Sequence, residues 1–230
     1  MSFKIIIPAR KGSKGLPGKN IKKLGDKPLI DYSIETALTL IDKDSIILTS
    51  DSKEILDRGY IFGVKTLLRP KKLAQDDSPI LDAIFHVINH FNKKQKIDQI
   101  MLLQPTFPFR NTLEIKKALN IYKKQNLSSL VSVSKMKEHP CECISISKEN
   151  LGQWEFLVNP SKKTNRQSYP SGYFFINGNF YIANVKSLKT FNSFFFKKTY
   201  FFECQNKFAI DIDNIEDFKY AEYYLSKQKN

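Results

Sequence analysis

Cysteine is scarce: Cys141, Cys143 and Cys204 are the only three in 230 residues. An odd number without framework spacing excludes a disulfide scaffold. It also lacks the spacing of a Cys₄ or Cys₂His₂ zinc site. Nine glycines and ten prolines are too few for a fibrous repeat or a low-complexity chain. No apolar run approaches the roughly 18 to 20 residues of a membrane span. The run Ile5 to Ile7 is far too short for a signal segment and leads into Pro8, Ala9 and Arg10. The expectation is a cytoplasmic protein with no membrane partner. Histidine is equally sparse. His86 and His90 stand four apart, but no Glu follows His86 to complete a metalloprotease pattern, so they read as a half-buried or surface pair. Cys141 and Cys143 read as ordinary strand packing.

Acidic residues are outnumbered: 23 against 37 Lys and Arg, a formal net charge of +14. Such a balance points to polyanion partners, whether nucleic acid, nucleotides or acidic sugars. Many lysines fall in scattered pairs, the pattern of solvated helix faces. The aromatics do not interleave with a basic stripe and no nucleic-acid motif appears, which argues against a nucleic-acid-binding protein. With 41% hydrophobic and 26% charged residues, the composition is that of a globular protein. The length suits one domain, 1–230, with a small insertion.

Apolar runs alternate with helical patterns. Phe3 to Pro8, Ser45 to Thr49, Val64 to Leu68, Gln99 to Leu103 and Leu130 to Ser134 read as strands. Helices are expected after Pro28, near Lys53 to Arg58, over Ile80 to Phe91 and over Thr112 to Gln125. Strands without polar alternation, separated by amphipathic helices, imply an α/β fold with a mostly parallel sheet covered on both faces. Ligands then bind beyond the carboxyl ends of the strands. About 135–177 breaks the rhythm and reads as an insertion. Asn179 to Ala183 and Lys207 to Ile212 read as further strands, and Ile215 to Ser226 as a closing helix.

The loop after the first strand, Ala9-Arg10-Lys11-Gly12-Ser13-Lys14-Gly15-Leu16-Pro17-Gly18-Lys19-Asn20, is the strongest signal. Three glycines at intervals of three let backbone N–H groups approach an anion. Arg10, Lys11, Lys14 and Lys19 add four cations in ten residues, and Ser13 and Asn20 add neutral donors. The loop suits a polyphosphate. It is not a Walker loop, because five residues separate Gly12 from Gly18 and Asn20 stands where the hydroxyl belongs.

These residues resemble the signature of the CMP-sialic acid synthetases, the acylneuraminate cytidylyltransferases. The likeness continues through Arg69-Pro70 with Leu73-Ala74-Gln75-Asp76, Leu102-Leu103-Gln104-Pro105-Thr106 through Pro108 and Arg110, Arg166-Gln167 with Asn177-Gly178 and Tyr181-Ile182, and Asp211-Ile212-Asp213. The resemblance implies a Rossmann-like nucleotidyltransferase sheet with an insertion for dimerisation. It also implies a reaction in which CTP activates a nine-carbon 2-keto sugar acid for glycan assembly. A nucleotidyltransferase for another acidic sugar, such as Kdo, is the alternative.

By the same resemblance, Arg10, Gly12, Ser13, Lys14, Lys19, Asn20 and Arg69 would bind the nucleotide, with Lys14 and Lys19 offsetting charge on the departing pyrophosphate. Gln104, Arg166 and Tyr181 would bind the sugar. Phe194 and Phe195 match an aromatic pair that reaches into a neighbouring subunit's sugar site, so a homodimer is expected, with a core strand as the alternative for the Phe-rich stretch. Asp211 and Asp213, two apart on an expected strand, would present both carboxylates on one face. Two hard oxygens suit Mg²⁺, and a solvated strand end is the plain alternative. Arg10, Lys14, Lys19 and Asp211 are thus the expected catalytic set. Asp217 reads as a helix-surface residue. One departure stands out: His139-Pro140-Cys141-Glu142 has an acid where the family has a lysine beside the sugar acid. That hints at a modified substrate such as a diamino nonulosonic acid.

Overall fold

In the computed structural model, the described residues are 2–93, 95–147, 149, 152–158, 171–205 and 210–228. Strands are β1 (Phe3–Pro8), β2 (Lys23–Leu24), β3 (Lys27–Pro28), β4 (Ile46–Ser50), β5 (Lys65–Leu68), β6 (Gln99–Leu102), β7 (Ser129–Lys135), β8 (Ile144–Ile146), β9 (Trp154–Phe156), β10 (Phe174–Asn184) and β11 (Tyr200–Glu203). Helices are α1 (Leu29–Leu38), α2 (Lys53–Ile61), α3 (Ile80–Phe91), α4 (Thr112–Lys124), α5 (Val185–Phe191) and α6 (Ile215–Gln228).

Seven strands form one sheet in the order β11-β7-β10-β6-β1-β4-β5. β1 pairs in parallel with β4 and β6, β4 with β5, and β7 with β11. β10 runs antiparallel to both β6 and β7. The apolar runs lack alternation because both faces are covered. Ile5, Ile7 and Leu48 meet α1, α2 and α4 on one side. Ile6, Ile47 and Leu102 meet α3 and α5 on the other. Leu16, Leu24, Ile212 and Phe218 seat α6 and the β2–β3 hairpin as a third, smaller core.

Parallel pairing puts the carboxyl ends of β1, β4, β5 and β6 on one edge. β10 enters that edge through a bulge: its register to β7 jumps between Ile176 and Tyr181. Asn177 builds the bulge. Its side chain accepts from the Asn179 N–H at 3.1 Å and from the Ser132 hydroxyl at 2.7 Å, while Gly178 takes φ 71°. Within about 135–177, β8 and β9 form a separate antiparallel pair with exposed side chains.

One expected strand is not formed among the described residues. Of Lys207 to Ile212, residues 207–209 lie outside the described set, and Ile210 to Asp213 carry no strand pairing. The reason is local. The Ile212 N–H donates to the Thr106 carbonyl at 2.8 Å, so this segment is tied to the β6 loop instead of joining a sheet ladder. The alternation survives: Ile212 is fully buried, Asp213 is exposed, and Asp211 keeps solvent-exposed surface although its carboxyl is partly desolvated.

Candidate functional site

A cavity of about 260 Å³ opens at the carboxyl edge of the sheet. Arg10, Gly12, Ser13, Lys19, Asn20, Arg69, Gln104 and Asp213 all line it. Four separate sequence segments therefore meet here.

The basic loop is fastened at both its own ends and to the residue after β4. The Asn20 side-chain amide donates to the Arg10 carbonyl at 2.9 Å, and the Lys11 N–H donates to Asp51 at 2.8 Å. Gly18 turns the chain at φ 67° before a 3₁₀ turn over Lys19–Ile21. Gly15 abuts the acidic segment. A Cβ there would fall 2.1 Å from the Asp213 carbonyl oxygen, so no side chain fits without displacing backbone.

Lys19 is buried, with its ammonium 2.5 Å from the Ile212 carbonyl and 3.2 Å from Asp213 Oδ1. It faces the acidic segment directly. Asp217 is more than a helix-surface residue: its carboxylate accepts from the N–H groups of Asp213 at 2.9 Å and Asn214 at 3.1 Å. The Asn214 side chain in turn accepts from the Asp217 N–H at 2.9 Å. This reciprocal cap starts α6 and fixes the Asp213 backbone.

Asp211 sits beside Gln104. A Cβ on Gly178 would fall 3.3 Å from Asp211 Oδ2 and 3.5 Å from Gln104 Oε1, so the bulge glycine leaves room between two polar groups. Burial pushes the Asp211 carboxyl above its ordinary value and Asp213 adds to this, against the Thr106 hydroxyl, Lys19 and Arg110. The Asp213 charge thus makes ionisation of Asp211 costlier, the mark of an acid short of positive charge.

Asp76 carries charge that the sequence reading assigned only to a motif. Its carboxylate accepts from Arg10 Nη1 at 2.5 Å and lies 3.3 Å from Lys14 Nζ. Desolvation pushes the Asp76 carboxyl up, but Arg10 and Lys14 outweigh it and hold it below its ordinary value. Two of the cations expected on the nucleotide, Arg10 and Lys14, are thus paired with one acid across the cleft.

Arg69 is buried, donates to the Ala9 carbonyl at 3.2 Å, and keeps an Nε–H with no partner among the described residues. Burial lowers its pKa, opposed by Asp51. His86 is half-buried on α3, where burial, then His90 and Arg69, lower its pKa.

Tyr181 lies on β10 with its ring 5.3 Å from Phe194 and 6.2 Å from Phe195. Burial, then Asp211, raise its pKa. The expected aromatic pair is split. Phe194 belongs to the molecule's own core at 4% exposure, while Phe195 is 43% exposed. Arg166 lies outside the described residues, as does Gln167. Glu142 is the exposed last residue of a 3₁₀ turn, Pro140–Glu142, and Cys141 is buried in that turn, not in a strand.

Comparisons with known proteins agree with one another. A family model described as cytidylyltransferase matches residues 4–229. An N-acylneuraminate cytidylyltransferase of Streptococcus agalactiae serotype V is 31% identical over 215 residues, 93% of this chain but 51% of that protein. This chain therefore spans about half the length of that relative. A CMP-N,N'-diacetyllegionaminic acid synthase of Legionella pneumophila is 34% identical over 203 residues, covering 86% of this chain and 85% of its own. Among solved structures, CMP:2-keto-3-deoxy-manno-octonic acid synthetase complexed with CTP has the same fold: TM-score 0.71, 15% identity, 99% of this chain and 100% of that one. No helix among the described residues is long and apolar enough to cross a membrane.

Proposed function

The chain belongs to the cytidylyltransferase family, and on that premise we propose that it transfers a cytidylyl group from CTP to an acidic nine-carbon 2-keto sugar, releasing pyrophosphate. The observation that carries this reading is the meeting of the basic glycine loop and the Asp211–Asp213 segment across one cleft, joined by Lys19. A polyanion held by that loop comes to lie against paired carboxylates, with Gln104 in the same cavity wall.

The chemistry needs no protein nucleophile. The sugar's anomeric hydroxyl loses its proton to solvent as its oxygen bonds to the α-phosphorus, and the bond from that phosphorus to the α–β bridging oxygen breaks, that oxygen leaving with pyrophosphate. The protein supplies position and charge. Arg10 and Lys14, released from Asp76, reach the phosphates, and the glycine N–H groups line their path. Lys19 offsets charge on the departing pyrophosphate. Arg69 serves the nucleotide side. Gln104, Tyr181 and Arg166 orient the sugar, bringing its anomeric oxygen toward the α-phosphorus.

A divalent cation such as Mg²⁺ fits the acidic segment. Asp211 and Asp213 both offer hard oxygens, Asp213 raises the proton affinity of Asp211, and Gly178 leaves the space open beside Asp211. Asp211 and Asp213 would hold it, and it would supply charge neutralisation for the phosphates.

The sugar we favour is a diamino nonulosonic acid. Glu142 stands where the resemblance places a lysine, and the relative named as a legionaminic acid synthase aligns over most of both chains. We also propose a cytoplasmic homodimer, in which the insertion at about 135–177 provides the contact. Exposed Ile144, Ile146, Trp154, Phe174 and Phe175 would lie at that contact. Three unpaired cysteines suit a reducing compartment.

Pyrophosphate release with CTP and Mg²⁺ tests the reading across N-acetylneuraminate, legionaminate, pseudaminate and Kdo. Turnover of a nine-carbon acid is expected, best with a diamino sugar. Turnover of N-acetylneuraminate alone overturns the substrate choice, and turnover of Kdo alone overturns the nine-carbon reading.

A further inference from the structure

Arg110 closes the third sequence segment, and the chemistry above gives it no task. Its guanidinium turns inward from the loop after β6. Nη2 donates to the Gln104 carbonyl at 2.6 Å, Nε to the Asn179 carbonyl at 2.8 Å and Nη1 to the Ser33 hydroxyl at 2.9 Å. The three acceptors belong to the β6 loop, the β10 bulge and α1. Among the described residues no carboxylate forms an ion pair with Arg110. Its hydrogen bonds go to backbone and hydroxyl oxygens, and Asp211 faces its charge from beyond ion-pair distance.

We infer that Arg110 is a positioning residue for the sugar side of the site: it locks the Gln104 backbone to the Asn177–Gly178–Asn179 bulge. The β6–β10 pairing ends at Leu102 and Tyr181, and beyond it Arg110 bridges the β6 loop to the bulge where Gln104, Gly178 and Asp211 come together. The closeness matters, since a Cβ on Gly178 would stand 3.5 Å from Gln104 Oε1 and 3.3 Å from Asp211 Oδ2. A shift of about 1 Å in such a constellation is enough to cost on the order of a hundredfold in rate. Only arginine suits the position. Its planar fork reaches three acceptors in different directions, whereas a lysine ammonium is a point charge on a flexible stem.

The role of Gln104 as a sugar contact rests on the proposed function, so the test has two independent arms. In the first, Arg110→Lys and Arg110→Met are compared with wild type for CTP affinity by calorimetry and for sugar KM. Arg110 makes no hydrogen bond to residues 10–20 among the described contacts, so CTP affinity is expected within about twofold. Sugar KM is expected to rise about ten- to a hundredfold, less in Arg110→Lys than in Arg110→Met. An unchanged sugar KM, or equal losses for CTP and sugar, overturns the assignment. An inactive wild type counts against the function reading alone.

The second arm needs no turnover. Amide hydrogen exchange in Arg110→Lys is expected to quicken at Phe107, Asn179 and Phe180, with β1 and β4 unchanged. The Phe107 N–H is bonded to Gln104, and the other two lie in the bulge. Unchanged exchange there, or faster exchange throughout the molecule, overturns the positioning role.

Discussion

Lys19 and Asp213, 194 residues apart in the chain, meet at 3.2 Å, and the same ammonium holds the Ile212 carbonyl at 2.5 Å. One buried cation therefore binds the start of the chain to its end at the mouth of the cleft. Asp213 stays 73% exposed at its side chain, so water screens the pair and it adds little stability. Lys19→Met is expected to keep the fold, with a loss of about 1 kcal/mol or less. Pyrophosphate release should fall about 10²- to 10³-fold, as when one charge-stabilising donor is removed. A folded Lys19→Met enzyme with full turnover would show that the ammonium serves only as a brace.

Asp211 is the second test. Its carboxyl is pushed up by burial and by Asp213, the state of a group that gains from a bound cation. Asp211→Ala is expected to abolish pyrophosphate release and its response to Mg²⁺ while circular dichroism stays native. Titrating Mg²⁺ at fixed CTP decides the matter. An active, Mg²⁺-responsive Asp211→Ala enzyme removes this residue from the metal site.

Asp76 offers a test with the opposite sign. It holds Arg10 and Lys14 before any nucleotide arrives, so CTP must displace it. Asp76→Asn removes that competitor but keeps the shape. CTP affinity, measured by calorimetry without sugar, is expected to improve roughly two- to fivefold, the scale of an exposed ion pair. A marked loss of affinity would mean that Asp76 orients the two cations for the phosphates.

Much of this arrangement is legible in the sequence, because it depends on chain order and pattern. Unalternated runs such as Phe3 to Pro8 announce a sheet covered on both faces, and the glycine loop announces an anion site at its edge. What pattern does not carry is pairing between distant residues. The Asp76 clamp joins Arg10 to a residue 66 positions away. Asp211 and Asp213 keep strand-like alternation without a strand, because alternation needs only a buried Ile212 and not a ladder partner. The bulge at Asn177 to Asn179 is equally hidden, since its register shift depends on the partner strand β7. Phe194 and Phe195 look alike in sequence, and only the packing of α5 and β10 separates a core ring from an exposed one.

That separation gives distinct outcomes for the two phenylalanines. Phe194→Ala should leave a core cavity and destabilise the protein by about 3–5 kcal/mol, visible as a lower urea midpoint. Phe195→Ala, starting from 43% exposure, should cost little stability. If the homodimer uses this ring, Phe195→Ala weakens self-association by sedimentation or raises sugar KM. A variant with neither change takes Phe195 away from any subunit boundary.

Cys204 reports on the core from the other direction. It is 6% exposed, beside Asn179 at 3.5 Å. Burial pushes its thiol up from 9.0 to about 11, with Glu114 adding and the amides of Asn177 and Asn179 opposing. A raised folded pKa means that the native state prefers the protonated thiol. The associated stability is complete below pH 9.0 and is lost as pH rises toward about 11. The loss is bounded near 3 kcal/mol, about 1.4 kcal/mol per pH unit. Lysines and tyrosines titrate in the same range, so the comparison is with Cys204→Ala. Wild type should lose stability relative to the variant across that window in urea titrations at several pH values. The buried thiol should also resist a thiol reagent at pH 8 until the protein is unfolded, while half-buried Cys143 reacts first. Parallel pH profiles for the two proteins would show that Cys204 ionises as freely as it does in the unfolded chain.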